Sequence, residues 1–274
     1  MKKHDLSSQL HSIVGENEAL IIDAFVVPGY LHHYWEAVQP LLLVGEAARV
    51  AHLSCLTGYP DEELLASMPE TEGVGIDESA SALAIARSKV SEGFQYVQAL
   101  PEQTGLETAL FSHVLLLNPI AGIERRQEIF FEASRLLYLG GQALLTLPLS
   151  SSFIEIFDLL SEYALKHDDA ELKQRLELTM MERMTIESLC EELEEVGFND
   201  IDFRIHEVEL QYGSGREFLE DPALRLLIRP QLESWLDGYD LSEALEYVAH
   251  ALDRYFSEET VEIGVKIAAF SARR

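Results

Sequence analysis

The sequence predicts an α/β fold built on a parallel sheet that is covered on both faces, and three observations predict it. Short β-rich runs alternate with helical stretches along the chain. HVLLLN (113–118) and QALLTLPL (142–149) are nearly continuous apolar runs, the pattern of strands buried on both faces. A content of 47% hydrophobic and 25% charged residues in a chain of 274 supports a sizeable core and argues against disorder. The length suits one large α/β domain spanning residues 1–274.

Taken in order, residues 1–36 read as an N-terminal helical segment. Tyr30 and Tyr34 lie four residues apart and share a helix face, so with Trp35 they are expected to pack between helices. RVAHLSCLTG (49–58) supplies a short first strand and the loop after it, and EGVGID (72–77) supplies the second strand. SASALAIARSKV (79–90) reads as a helix, FQYVQALPEQTG (94–105) as the third strand and its loop, and FSHVLLLN (111–118) as the fourth strand. IFFEASRLLYLGGQALLTLPL (129–149) gives a helix, a turn at Gly140 and Gly141, and the fifth strand. TIESLCEELEEVGFNDIDF (185–203) leads through a helix into the sixth strand, and VEIGVKIAAFSARR (261–274) is the last. Two helical insertions, 150–190 and 215–256, follow the fifth and sixth strands as a cap or partner surface. KHDDAELKQR marks an exposed helix start in the first, and Pro222, Pro230 and Gly238 break the second.

The order and spacing of these segments resemble class I S-adenosylmethionine-dependent methyltransferases, over roughly residues 35 to 274. The resemblance implies a Rossmann-like, doubly wound, mostly parallel seven-stranded sheet with an antiparallel terminal strand. In that family the first loop reads as an acid, an apolar residue, then glycine-x-glycine-x-glycine. Here those positions are His52, Leu53, Ser54, Cys55, Leu56, Thr57 and Gly58. Glycine is used there because the backbone approaches the cofactor closely and adopts positive φ. The cofactor-binding positions implied by the resemblance are therefore Ser54, Gly58, Asp77 and Gln98. Asp77 closes the second strand, where the family binds the ribose, and Gln98 stands where an acid is usual. Ser112 and Leu139 replace a leading aspartate and a proline. Leu56 projects a branched side chain where the family leaves room.

Asp77 has two readings of equal weight, ribose ligand or cap of the next helix. His52 and His113 are expected to be satisfied structural histidines, the first bonded to backbone, although His113 could also serve as a base. Asn118-Pro119 is read as a turn, because Ile120 and Ala121 break the asparagine-proline-proline-aromatic motif of amino-methyltransferases. YGSGR (212–216) reads as a connection into the following helix. His11, His32 and His33 match no recognised ligand spacing, so no metal site is expected.

The net charge of −28 disfavours nucleic acid and anionic membranes. No run is long and apolar enough for a spanning helix, and the two cysteines, Cys55 and Cys190, form no ligand pattern. A cytoplasmic protein with a protein or small-molecule partner is expected. Two functions follow from the altered loop. The first is a catalytically silent pseudo-methyltransferase that acts as a binding or scaffold module, with S-adenosylmethionine binding weak or absent. The alternative is an active S-adenosylmethionine-dependent methyltransferase on a small molecule, with no catalytic residue assigned.

Overall fold

A computed structural model describes residues 14–45, 47–90, 92–181, 184–255 and 260–274. His11 and the first part of the predicted N-terminal segment lie outside these residues.

Seven strands form one sheet: β1 (Arg49–Leu53), β2 (Glu72–Asp77), β3 (Phe94–Gln98), β4 (Phe111–Leu117), β5 (Leu137–Pro148), β6 (Asn199–Tyr212) and β7 (Val261–Arg273). Their spatial order is β3-β2-β1-β4-β5-β7-β6. The pairings among β1 to β5 are parallel, while β7 runs antiparallel to both β5 and β6. The sheet is thus doubly wound and mostly parallel, as the sequence predicts. The order in which strands are added reverses between the parallel neighbours β1 and β4, so this switch point opens a crevice at the carboxyl ends of the strands.

Alternation along the central strands divides the core. Leu115, Leu117 and Leu144 face a cluster with Tyr30, Tyr34, Trp35 and Leu160. Val114, Leu116, Ala143 and Leu145 face the other side, against Phe130 and Leu189. Strands sandwiched in this way need apolar residues at every position, which is why their sequence does not alternate.

The N-terminal part is helical, with α1 (Glu16–Ile21), a wide π-helical stretch (Ile22–Leu31) and α2 (His32–Val38). Tyr30 and Tyr34 do share a face: their hydroxyls are 2.6 Å apart and their rings meet edge-on at 5.2 Å. The helices that bear on the crevice are α3 (Asp61–Ser67) and α4 (Ala80–Lys89), while α5 (Ile123–Leu136) covers the opposite face.

The first insertion forms α6 (Ile154–Lys166) and α7 (Ala170–Met181), followed by α8 (Ile186–Glu195). The second forms α9 (Gly215–Glu220), a π-turn (Leu224–Ile228), α10 (Arg229–Trp235) and α11 (Ser242–Tyr255). Within YGSGR the Ser214 side chain accepts from the Glu217 amide and caps α9, which is the connecting role expected of it. Both insertions share one apolar cluster with the N-terminal helices, through residues such as Leu160, Phe218 and Leu252. No helix among the described residues is long and apolar enough to cross a membrane.

Candidate functional site

The loop after β1 enters the crevice at the switch point. Ser54 and Leu56 have φ of 53° and 47°, and Gly58 has φ of 78°. The backbone keeps the three left-handed residues that a glycine-x-glycine-x-glycine loop would have, although two of them now carry side chains. Left-handed geometry costs a non-glycine residue roughly 1–2 kcal/mol, so other contacts must hold the loop.

Asp77 supplies one of those contacts. Its Oδ2 accepts the Leu56 amide at 2.9 Å, and its Oδ1 accepts the Ser79 amide at 2.8 Å. The carboxylate at the end of β2 therefore binds the chain's own amides, one from the cofactor-type loop and one from the start of α4. Ser79 is itself the cap of α4, its hydroxyl oxygen accepting from the Ala82 amide at 3.1 Å. The cap of α4 is therefore Ser79 and not Asp77, which instead holds the Ser79 amide.

Beneath the loop lies a buried polar triad that the sequence did not predict. His52 is bonded to a side chain instead of the expected backbone: its Nδ1 meets Asp61 Oδ1 at 2.7 Å, with both residues almost wholly buried. The Tyr96 hydroxyl donates to Asp61 Oδ2 at 2.9 Å. Burial, and next the Asp61 carboxylate, push the Tyr96 phenol far up, so it remains a donor. Burial followed by Asp77 and Asp61 also pushes the Cys55 thiol well up, leaving it a poor nucleophile. Asp61 lies nine residues beyond His52, in the first turn of α3, and no familiar motif has that spacing.

The remaining predicted positions separate by their place on the sheet. Gly58 is packed tightly: a Cβ there would stand 2.9 Å from both Ala86 Cβ and the Tyr96 hydroxyl. It makes room for α4 and the triad. Gln98 ends β3 beside Asp77, is exposed, and donates to the Glu78 carbonyl at 2.9 Å. Ser112 and Leu139, which stand where the family has an aspartate and a proline, lie at the amino ends of β4 and β5, away from the crevice. Ser112 starts β4, where its hydroxyl both donates to the Arg49 carbonyl (2.9 Å) and accepts the Arg49 amide (2.8 Å). Leu139 lies before the regular part of β5 and is 85% exposed. His113, also at the amino end of β4, pairs with Ser112 Oγ at 2.8 Å and the Leu43 carbonyl at 2.9 Å, the satisfied role expected of it.

Asn118 follows β4 in a left-handed conformation, φ 45°, and its amide donates to the Thr146 carbonyl of β5 at 3.0 Å, extending the ladder between the two strands. On the outer rim Arg125 bridges Glu78 and Glu102, all three largely buried. Arg126 makes a paired contact with Glu192 at 2.9 and 2.7 Å. The first bridge ties α5 to the residues beside Asp77, over the side of the crevice where Gln98 lies.

The crevice itself is closed. Val27 and Leu31 of the π-helical stretch meet Leu56, Tyr59 and Leu117 across it, leaving a cavity of about 10 Å³, no more than one water molecule needs. Ligand sites for small molecules ordinarily span roughly 300–1,000 Å³. The Ser79 hydroxyl also donates to the Val14 carbonyl at 2.9 Å, and Lys89 pairs with Asp23 at 2.5 Å, so the N-terminal helices are fastened over α4. The ribose-type carboxylate is engaged by backbone, and leucine and valine side chains occupy the space above the loop.

Comparison with known proteins gives a consistent picture of the fold. Residues 51–145 match the model of the methyltransferase domain family. No curated protein matches the chain in sequence. Phosphoethanolamine N-methyltransferase 2 of Haemonchus contortus, solved with phosphomonomethylethanolamine and S-adenosylhomocysteine, superposes with a TM-score of 0.58 at 16% identity. That match covers 98% of this chain but spans only 60% of the nematode protein. The YcgJ protein of Bacillus subtilis gives 0.57 at 11% identity, covering 89% of this chain and 98% of that one. A SAM-dependent methyltransferase of Archaeoglobus fulgidus gives 0.50 at 14% identity, covering 93% and 98%.

Proposed function

We propose that this chain is a methyltransferase-fold protein that no longer transfers methyl groups and acts as a binding or scaffold module; the match of residues 51–145 to the methyltransferase domain model and the strand order of the sheet support the fold. One observation carries the reading. Asp77 accepts the amide of Leu56, while the Leu56 side chain closes the crevice with Val27 and Leu31. The cofactor's place is taken by the protein's own loop, and the loop is stabilised in a shape that excludes the ligand it resembles a receptor for.

Methyl transfer from a sulfonium is an in-line displacement, so an enzyme contributes mainly cofactor binding and near-attack positioning. A site that does not hold the cofactor has lost its chief contribution. The function then moves to the surface, where the charge of −28 attracts a partner with a basic face and repels phosphate backbones. The second reading, an active small-molecule methyltransferase, draws its support from the backbone of the loop, which keeps positive φ at Ser54, Leu56 and Gly58.

Thermal melting with S-adenosylmethionine or S-adenosylhomocysteine at millimolar concentration separates the two. No stabilisation is expected. Ligand at about a hundred times its dissociation constant would add roughly 2.7 kcal/mol of stability. A clear upward shift with either ligand would refute the silent reading and favour the enzyme. In the double variant Ser54→Gly, Leu56→Gly, recovered binding would show that the two side chains are what closes the site.

A further inference from the structure

We propose that His32, His33 and Glu36 of α2 form a binding site for a borderline divalent transition metal such as Zn2+. These residues each offer one ligand atom, and the three atoms all lie within 4.8 Å of one another. Tetrahedral ligands held at about 2.1 Å from one ion stand about 3.4 Å apart, so closure requires the most distant pair to approach by up to about 1.4 Å. Rotation about the side-chain bonds of the half-exposed Glu36 supplies that range.

Several features distinguish this group from ordinary surface histidines. Adjacent helical residues normally diverge by about 100° around the axis, yet the rings of His32 and His33 approach to 3.6 Å between centroids. The Nδ1 of His32 is buried and has no hydrogen-bond partner, and coordination through that nitrogen would satisfy it. His33 Nδ1 stands 3.4 Å from Glu36 Oε2, a long contact for a hydrogen bond but a natural one for two ligands of a common ion. His206 on β6 lies on the far side, its ring centroid 6.3 Å from that of His33.

Chemistry selects the ion. Two imidazoles and one carboxylate suit Zn2+ and its neighbours in the first transition row, whereas Mg2+ and Ca2+ demand mainly oxygen ligands. The location gives the site a consequence. α2 continues directly from the π-helical stretch whose Val27 and Leu31 close the crevice, so an ion here would fix the conformation of the segment at its exit.

The test uses the full-length chain without an affinity tag, freed of metal with a chelator, and titrated with Zn2+ by calorimetry. Parallel titrations use Mg2+ and Ca2+, and Co2+ absorption spectra report the ligand field. Micromolar or tighter Zn2+ binding is expected, without a response to Mg2+ or Ca2+. His33→Ala and Glu36→Gln should each weaken binding by more than the 10–100-fold that loss of an outer-shell partner costs, roughly a hundredfold or beyond. His250→Ala, on another helix, should leave it unchanged. Glu36→Gln is isosteric at a half-exposed position and keeps the test decisive if His33→Ala fails to fold. Absent Zn2+ binding, or binding that survives Glu36→Gln at full strength, would overturn the proposal.

Discussion

Replacing Asp77 by alanine should destabilise the protein with no ligand present, because its carboxylate holds the chain's own loop. Two backbone amides donate to it, from Leu56 at 2.9 Å and Ser79 at 2.8 Å. Hydrogen bonds to a charged group contribute about 1.5–3 kcal/mol each, giving a gross loss of roughly 3–6 kcal/mol. Part of this is returned, since Leu56, its amide released, can relax its left-handed conformation, at about 1–2 kcal/mol. The net loss is then about 2–4 kcal/mol, or roughly 4–16 °C in Tm for a domain of this size. Thermal and urea melts of Asp77→Ala and Asp77→Asn measure it directly. The asparagine keeps one acceptor oxygen and should lose about half as much. A Tm for Asp77→Ala within a degree of the parent, without ligand, would refute the self-satisfied loop.

Three further outcomes follow from the same geometry. Gly58→Ala should cost at least about 2 kcal/mol without ligand, because the new methyl meets Ala86 and the Tyr96 hydroxyl at a residue with φ of 78°; a urea midpoint equal to the parent's would show that the loop tolerates a side chain there. Arg125→Ala should cost roughly 3–5 kcal/mol, since it leaves Glu78 and Glu102 largely buried and unpaired, and Arg125→Lys should not restore the loss because it cannot serve both carboxylates in the same way; an Arg125→Ala melt that matches the parent would place the bridge among contacts of no consequence. For His113, burial first and Arg273 after it lower the pKa, opposed by the bond to the Leu43 carbonyl, so the unfolded chain binds the proton more readily. Stability should therefore fall as pH drops below about 6.5 toward the lowered folded value. His113→Gln should flatten the Tm profile between pH values of about 7 and 5, and an unchanged profile would contradict this.

The sheet was legible because its signal is repeated. Each strand from β1 to β5 ends or begins at a turn the sequence marks, and the apolar runs of β4 and β5 state burial on both faces without any need of tertiary information. The site was less legible, for two physical reasons. Strand position along the axis is invisible in a motif, so Ser112 and Leu139 were read with the ligand positions although they stand at the amino ends of β4 and β5. Side-chain pairing across separate elements is equally hidden: nothing about His52 announces that Asp61, on the next helix, and Tyr96, two strands away, would close around it. Only the structure shows that Asp61, which opens α3, is wholly buried and so must be paired.

The triad also accounts for how a loop with side chains at Ser54 and Leu56 keeps its left-handed backbone. A glycine loop over a bound cofactor derives part of its order from the ligand; a loop without one must be held from inside the protein. Here Asp77 holds it from the β2 side, and the His52–Asp61–Tyr96 group anchors the strand end and helix on either side of it. Leu56 then contributes apolar contacts with the N-terminal helices that a glycine could not make, offsetting its left-handed backbone. On this account the substitutions at Ser54 and Leu56 and the closure by Val27 and Leu31 are one change rather than several. Restoring the two glycines alone would remove a side chain from the crevice and leave Val27 and Leu31 facing a void, which the N-terminal helices would be free to fill.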